Sequence, residues 1–160
     1  MNLPARKSIK DLFEGLLGRD VAIADAIPIV YEHPRPVVAT YVNPSHQLTV
    51  VVVMDLPLAA YAGAAIALVP KGGAEAAVED SRLPPNLFDN AAEILNVLAA
   101  PIGEHCGVHV RLESTFAPGE TVPPQVLSIA GSAGLREDVT LDIAGYGSGR
   151  LAMVLVPGAY

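Results

Sequence analysis

The sequence contains no tryptophan and a single cysteine, only 5% of its residues are aromatic, and charged side chains make up only 17%. With 51% hydrophobic residues and so few large rings, the interior is expected to be aliphatic and rich in Ala and Val, and the chain is not of the disordered class. Cys106, alone, has no partner for an internal disulfide, which suits a reducing compartment. Basic residues are scarce: ten against seventeen acidic, for a net charge of −7. That balance argues against a general nucleic-acid surface, which needs Lys and Arg to displace counterions from phosphates. Long apolar runs are also missing. The richest stretch, Leu48 to Val69, is broken by Asp55 and Pro57, and MNLPARKSIKDLF holds no apolar core of signal-peptide length. The expectation is a cytoplasmic, soluble chain that engages no membrane and no nucleic acid. Its 160 residues suit one domain, 1–160, able to bury roughly two thirds of its unfolded surface.

What is present is patterned. Ser8 precedes a helical face of Ile9, Leu12, Phe13, Leu16 and Leu17, ended by Gly18. Val21, Ile23, Ile27 and Ile29 alternate as an edge or broken strand around Pro28. Val37 to Val42 and Leu48 to Met54 read as a hairpin about the turn Asn43-Pro44-Ser45-His46. LTVVVVM is apolar throughout, so it is expected to be central and covered on both faces. Asp55 caps a helix, Leu58 to Leu68, with Pro57 near its first turn. Pro70 to Asp80 reads as a polar loop with a half-turn in AEAAVE. Later, residues 107–113 alternate as a strand, Thr115 to Pro124 is a connector, Val126 to Ala130 reads as a short strand, and Asp138 to Ala144 pairs with Leu151 to Val156 across GYGSG.

Between these parts lies the stretch with the most chemistry. Leu83-Pro84-Pro85-Asn86 reads as a helix entry capped by Asn86, and Pro101 as the stop, giving a helix over 86–100. At about 100° per residue, Leu87, Ala91, Ile94, Leu95 and Leu98 gather on one side and Asp89, Glu93 and Asn96 on the other. Asn is a poor interior helix residue because its amide competes for backbone hydrogen bonds, so Asn96 in that company asks for a reason. A solvated helix face is the plain alternative. His105, Cys106 and His109 lack an evident third metal ligand, Gly107 favours a strand entry there, and no metal site is assigned. GYGSG lacks the strand-loop-helix context of a phosphate loop, and no Ser/His/Asp or Cys/His set can be argued from spacing.

The order of elements suggests two related halves, about 8–69 and 84–157, in which Glu14 corresponds loosely to Glu93. Three residues after Glu14 stands Leu17, where the second helix has Asn96, so only one half carries the polar pair.

The spacing Asp89-x3-Glu93-x2-Asn96-x21-Pro118 resembles the active-site signature of the CheC/CheX/FliY family of chemotaxis phosphatases, and the surrounding order of elements is similar from Ser8 to Pro157. A single signature, in the second half, looks like the CheX type. The family commonly has Gly soon after the Asn, where this chain has Leu98-Ala99-Ala100 before Pro101; Pro123-Pro124 also resembles the family proline, so the choice between it and Pro118 stays open. The resemblance implies an α/β (α+β) pseudo-twofold domain, two long helices packed on a mainly antiparallel sheet. It implies a phosphatase of the phosphoryl-aspartate in a CheY-like receiver domain. Asn96 would position the attacking water, Glu93 would dock to the receiver lysine, and Asp89 and Pro118 would contact the partner. No cofactor of its own is implied, because the receiver brings Mg²⁺. Homodimerisation through a sheet edge is also consistent with the resemblance. The alternative within the same fold is a non-catalytic scaffold domain, similar to flagellar-switch relatives; a small-molecule binder would instead show a deep apolar pocket away from this helix.

Overall fold

The computed structural model describes residues 2–158. Its elements are α1 (Arg6–Leu17), β1 (Val21–Asp25), β2 (Val37–Val42), β3 (Leu48–Met54), α2 (Leu56–Ile66), α3 (Lys71–Glu79), α4 (Pro85–Cys106), β4 (Arg111–Phe116), α5 (Pro124–Ala130), β5 (Arg136–Ile143) and β6 (Gly147–Leu155). The six strands form one sheet in the order β1-β5-β6-β3-β2-β4. Every neighbouring pair is antiparallel. Exchanging β1 with β4, β2 with β5 and β3 with β6 returns the same order read backwards, which gives the sheet a pseudo-twofold between the central strands β3 and β6. Each half lends its first strand to the other half's hairpin.

Alternation along the strands sorts the core into two layers. Val37, Ala39 and Tyr41 of β2, Val50, Val52 and Met54 of β3, and Leu151, Met153 and Leu155 of β6 face α1, α2, α3 and α4. Val38, Val51, Val53, Ala152 and Val154 face the opposite way, under Val122 and the α5 residues Val126 and Ile129. Covered on both sides, β3 needs no polar face, which accounts for its unbroken apolar run. The helices approach the sheet closely where side chains are absent. A Cβ on Gly149 of β6 would lie 2.5 Å from the Leu58 Cα of α2, and one on Gly63 would lie 2.6 Å from the Leu87 carbonyl of α4.

Several elements differ from the sequence expectation. Helix α4 does not stop at Pro101 but continues to Cys106, where Gly107 ends it in a left-handed conformation at φ 75°. Pro101 removes one intrahelical donor. The buried stripe nevertheless runs on through Leu98, Ile102 and Cys106, and that burial outweighs the lost bond. The helix begins at Pro85 with Pro84 in the cap position and no side-chain cap; Asn86 lies inside the first turn, exposed. Residues 71–79 form α3 rather than a loop, because Ala74 and Ala77, three apart, are buried despite the preceding Gly72 and Gly73. Residues 124–130 form α5 rather than a strand: Pro124 opens it, and Val126 and Ile129 share a buried face at helical spacing. Strand β1 ends at Asp25, and Ile27 and Val30 lie 76% and 62% exposed on the connection to β2.

Two locks have measurable consequences. Asp55 caps α2 as expected, its Oδ1 accepting from the Leu58 N–H at 2.9 Å, while Oδ2 accepts from Arg150 Nε at 3.4 Å. Burial, the largest influence, raises its pKa above 3.8 in spite of these partners. A carboxyl raised on folding stabilises the fold most when protonated, so its contribution falls as pH rises from the unfolded value through the folded one. Asp55→Ala should cost about 1 kcal/mol in urea unfolding through loss of the cap, whereas Asp55→Asn keeps the cap and should remove this downward drift between acid and neutral pH. Gly149→Ala forces a methyl into α2 backbone and should cost about 3 kcal/mol or more in the same assay; a loss below about 1 kcal/mol would contradict the packing described.

Candidate functional site

The rotation of α4 about its axis decides which side chains reach solvent. Leu87, Ala91, Ile94, Leu95, Leu98, Ile102 and Cys106 are buried. Asp89, Glu93, Asn96 and Ala100 are exposed together on the opposite face. Three contacts hold that rotation. The Tyr41 hydroxyl, on a fully buried ring of β2, donates to the Leu95 carbonyl at 2.6 Å, next to Asn96 in the chain. Asn90 Nδ2 donates to the Gly63 carbonyl at 2.9 Å, and bare Gly63 lets α2 lie against the carbonyl of Leu87. Burial pushes the Tyr41 pKa far up, so its hydroxyl remains a neutral donor.

Among the described residues, Asp89, Glu93 and Asn96 take part in no side-chain hydrogen bond or ion pair within the chain. Asn96 therefore does not cap a turn or serve the core. Its carboxamide, both donor and acceptor, stands in solvent one helical turn from a free carboxylate. That pair can hold a water and accept from a cation supplied by another molecule.

The first half carries no such pair. Ile9, Phe13 and Leu17 are buried at the same spacing as Leu87, Ala91 and Leu95. In that phase the counterpart of Glu93 is Gly15, not Glu14, and the counterpart of Asn96 is Gly18, which already ends α1 at φ 64°. Glu14 instead accepts from the Val21 N–H at 3.0 Å, fastening the start of β1. Asp11, in the phase of Asp89, pairs with Lys7 at 3.0 Å.

Pro118 follows β4 and lines a depression with Ser81, His33, Arg35 and Gly119, near the N-terminal end of α4 rather than beside Asn96. Pro123 and Pro124 open α5 on the other layer of the sheet, remote from the exposed face of α4. His105 turns inward, Nδ1–H donating to the Pro101 carbonyl at 2.9 Å and Nε2 lying 3.5 Å from Ser8 Oγ. Cys106 is buried, and burial raises its pKa. Among the described residues, no group of three or more His, Cys, Asp or Glu is placed to hold a metal ion, and no helix is long and apolar enough to cross a membrane. An apolar cavity does lie away from α4, under Tyr31, Pro36 and Leu127, but its volume of about 240 Å³ is below the range of about 300–1,000 Å³ that small-molecule sites occupy.

Tyr41 and Asn90 were not singled out by sequence reasoning. The available signals were a phenol inside the apolar strand VVATYV and a second Asn on the same helix.

No family model matches the chain, and no curated protein matches it by sequence. Solved structures do match in fold. FliY of Thermotoga maritima aligns with a TM-score of 0.55 at 16% identity, over 92% of this chain and 82% of that one. FliM in the FliG–FliM complex from H. pylori gives 0.60 at 12% identity, over 93% and 85%. The chemotaxis protein CheX from Vibrio vulnificus gives 0.55 at 10% identity, over 94% and 95%. The chain thus has the α+β fold of the CheC/CheX/FliY proteins, a fold found both in a chemotaxis protein and in a component that assembles with FliG.

Tyr41→Phe removes the anchor at Leu95 without changing the packed volume. It should cost about 1 kcal/mol in chemical denaturation, and hydrogen exchange in the middle of α4 should quicken; unchanged exchange there would mean that the bond does not hold the helix.

Proposed function

We propose that this protein hydrolyses the phosphoryl-aspartate of a response-regulator receiver domain, and that α4 enters the receiver's phosphate cavity to do so. The observation that carries this reading is the joint exposure of Glu93 and Asn96 on one face of a helix whose other faces are packed. A side chain meant for another molecule's pocket must stand clear of its own domain, and both do. Asn96 holds the attacking water in line with the phosphorus through its carboxamide, which adds no negative charge beside the phosphoryl group. The water oxygen bonds to phosphorus as the bond to the aspartyl oxygen breaks, leaving a free carboxylate and inorganic phosphate. The receiver's own Mg²⁺ meets the charge on the phosphoryl oxygens, so no cofactor is required of this chain. Glu93, one turn earlier, accepts from the receiver lysine and sets the docking register. Asp89 lies at the rim, and Pro118, in a depression with Ser81 ahead of the helix start, suits a contact there.

A second reading keeps the surface and drops the chemistry: α4 docks a partner in an assembly. The likeness to FliM, solved in complex with FliG, favours it, and the two readings share one binding face.

The test follows the decay of receiver domains from the same genome after phosphorylation with acetyl phosphate. The unmodified protein should accelerate decay of its cognate receiver by roughly 100-fold, equivalent to about 2.7 kcal/mol. Asn96→Ala should abolish most of that while leaving binding intact, and Glu93→Ala should weaken binding. If no receiver decays faster, the docking reading alone survives.

A further inference from the structure

Beside Asn96 the surface of α4 opens into a groove of about 650 Å³. It begins at Asn96 and passes Ala99, Ala100 and Gly103 to Glu104, with His109 and Val110 as the far wall. From Asn96 to Glu104 is about 12 Å along the helix at about 1.5 Å per residue. The floor is low because its residues are small. Gly103 eases a close approach there: a Cβ would stand 3.0 Å from the Val108 carbonyl, so the chain leaving α4 folds back tightly and its next residues rise as the wall. Ala100, Glu104 and His109 are exposed and leave the groove open to solvent, while Val110 in its wall is buried and belongs to the core.

A partner that receives Asn96 must also lie over this groove, because Asn96 is its first lining residue. A smooth surface laid there would leave a void and forfeit the contacts of its walls. Receiver domains are doubly wound α/β folds whose sites lie outside the carboxyl ends of the strands, ringed by βα loops, so a loop is what the groove meets. The Ala, Gly and Val lining takes an apolar side chain, and Glu104 at one end with Glu93 before Asn96 favours a neighbouring cation. Resting on the receiver-docking reading above, we propose that this groove is the selectivity pocket of the docking face. It seats a large apolar side chain, flanked by Lys or Arg, from the βα loop bordering the receiver's phosphoryl cavity, and thereby decides which receiver is accepted.

Filling the groove tests this. Ala100→Trp changes an exposed position, so its thermal midpoint should match the unmodified protein, and Ile27→Ser, an exposed position on the β1–β2 connection outside the groove lining, serves as control. With the cognate phosphorylated receiver, Ala100→Trp should raise KM about tenfold or more with kcat within about twofold, the reverse of Asn96→Ala. Glu104→Lys should raise KM in the same sense, more at low salt than at high. An unchanged KM in Ala100→Trp, with the unmodified protein active, overturns the proposal and leaves the phosphatase reading standing. If the unmodified protein accelerates no receiver, binding of beryllofluoride- and Mg²⁺-loaded receivers decides: weaker binding by Ala100→Trp supports the groove without the chemistry, whereas equal binding or none overturns it.

Discussion

The rotation of α4 is the constraint on which the site depends. Seven apolar positions from Leu87 to Cys106 commit one stripe of the helix to the core, and a helix so committed cannot choose which of its other residues face solvent. The Tyr41 hydroxyl on Leu95 and the close approach of Gly63 to Leu87 then fix the rotation and depth more finely than apolar packing alone. Apolar contacts are non-directional and tolerate small rotations; a hydrogen bond at 2.6 Å and a backbone contact that admits no Cβ do not. Precision at Asn96 is thus established from beneath, by residues that never meet a partner.

The pseudo-twofold of the sheet supplies two positions where such a helix could stand, and the halves use them differently. In the first half the helix is 12 residues long and ends at Gly18, before the turn that would present an amide. Its carboxylates serve the fold: Glu14 holds the start of β1, and Asp11 is paired with Lys7. In the second half the helix is 22 residues long, and the extra turns carry the exposed amide and the groove beyond it. The asymmetry therefore lies in helix length as much as in residue identity.

Much of this was legible before any coordinates. The strands Val37–Val42 and Leu48–Met54, the Asp55 cap and the faces of the Glu93 helix all follow from local periodicity and turn chemistry, which adjacent residues carry by themselves. The misread segments share a cause. Ala74 with Ala77, and Val126 with Ile129, mark short helices whose propensity is weak and whose burial comes from elements far away in sequence. Pro101 carries a strong local stop signal, overridden because Ile102 and Cys106 have a core to enter.

The amino-acid order alone determined the aliphatic character of the core, the acidic surface, and the placing of Asp89, Glu93 and Asn96 on one side of one helix, because a 3.6-residue period is a property of the chain itself. Tertiary structure decided the rest. That Pro123 and Pro124 open a helix on the other layer of the sheet, why Glu14 is occupied while Glu93 is free, and the existence of a groove beside Asn96 depend on strand order and on backbones brought together across the fold, and no local pattern encodes those distances.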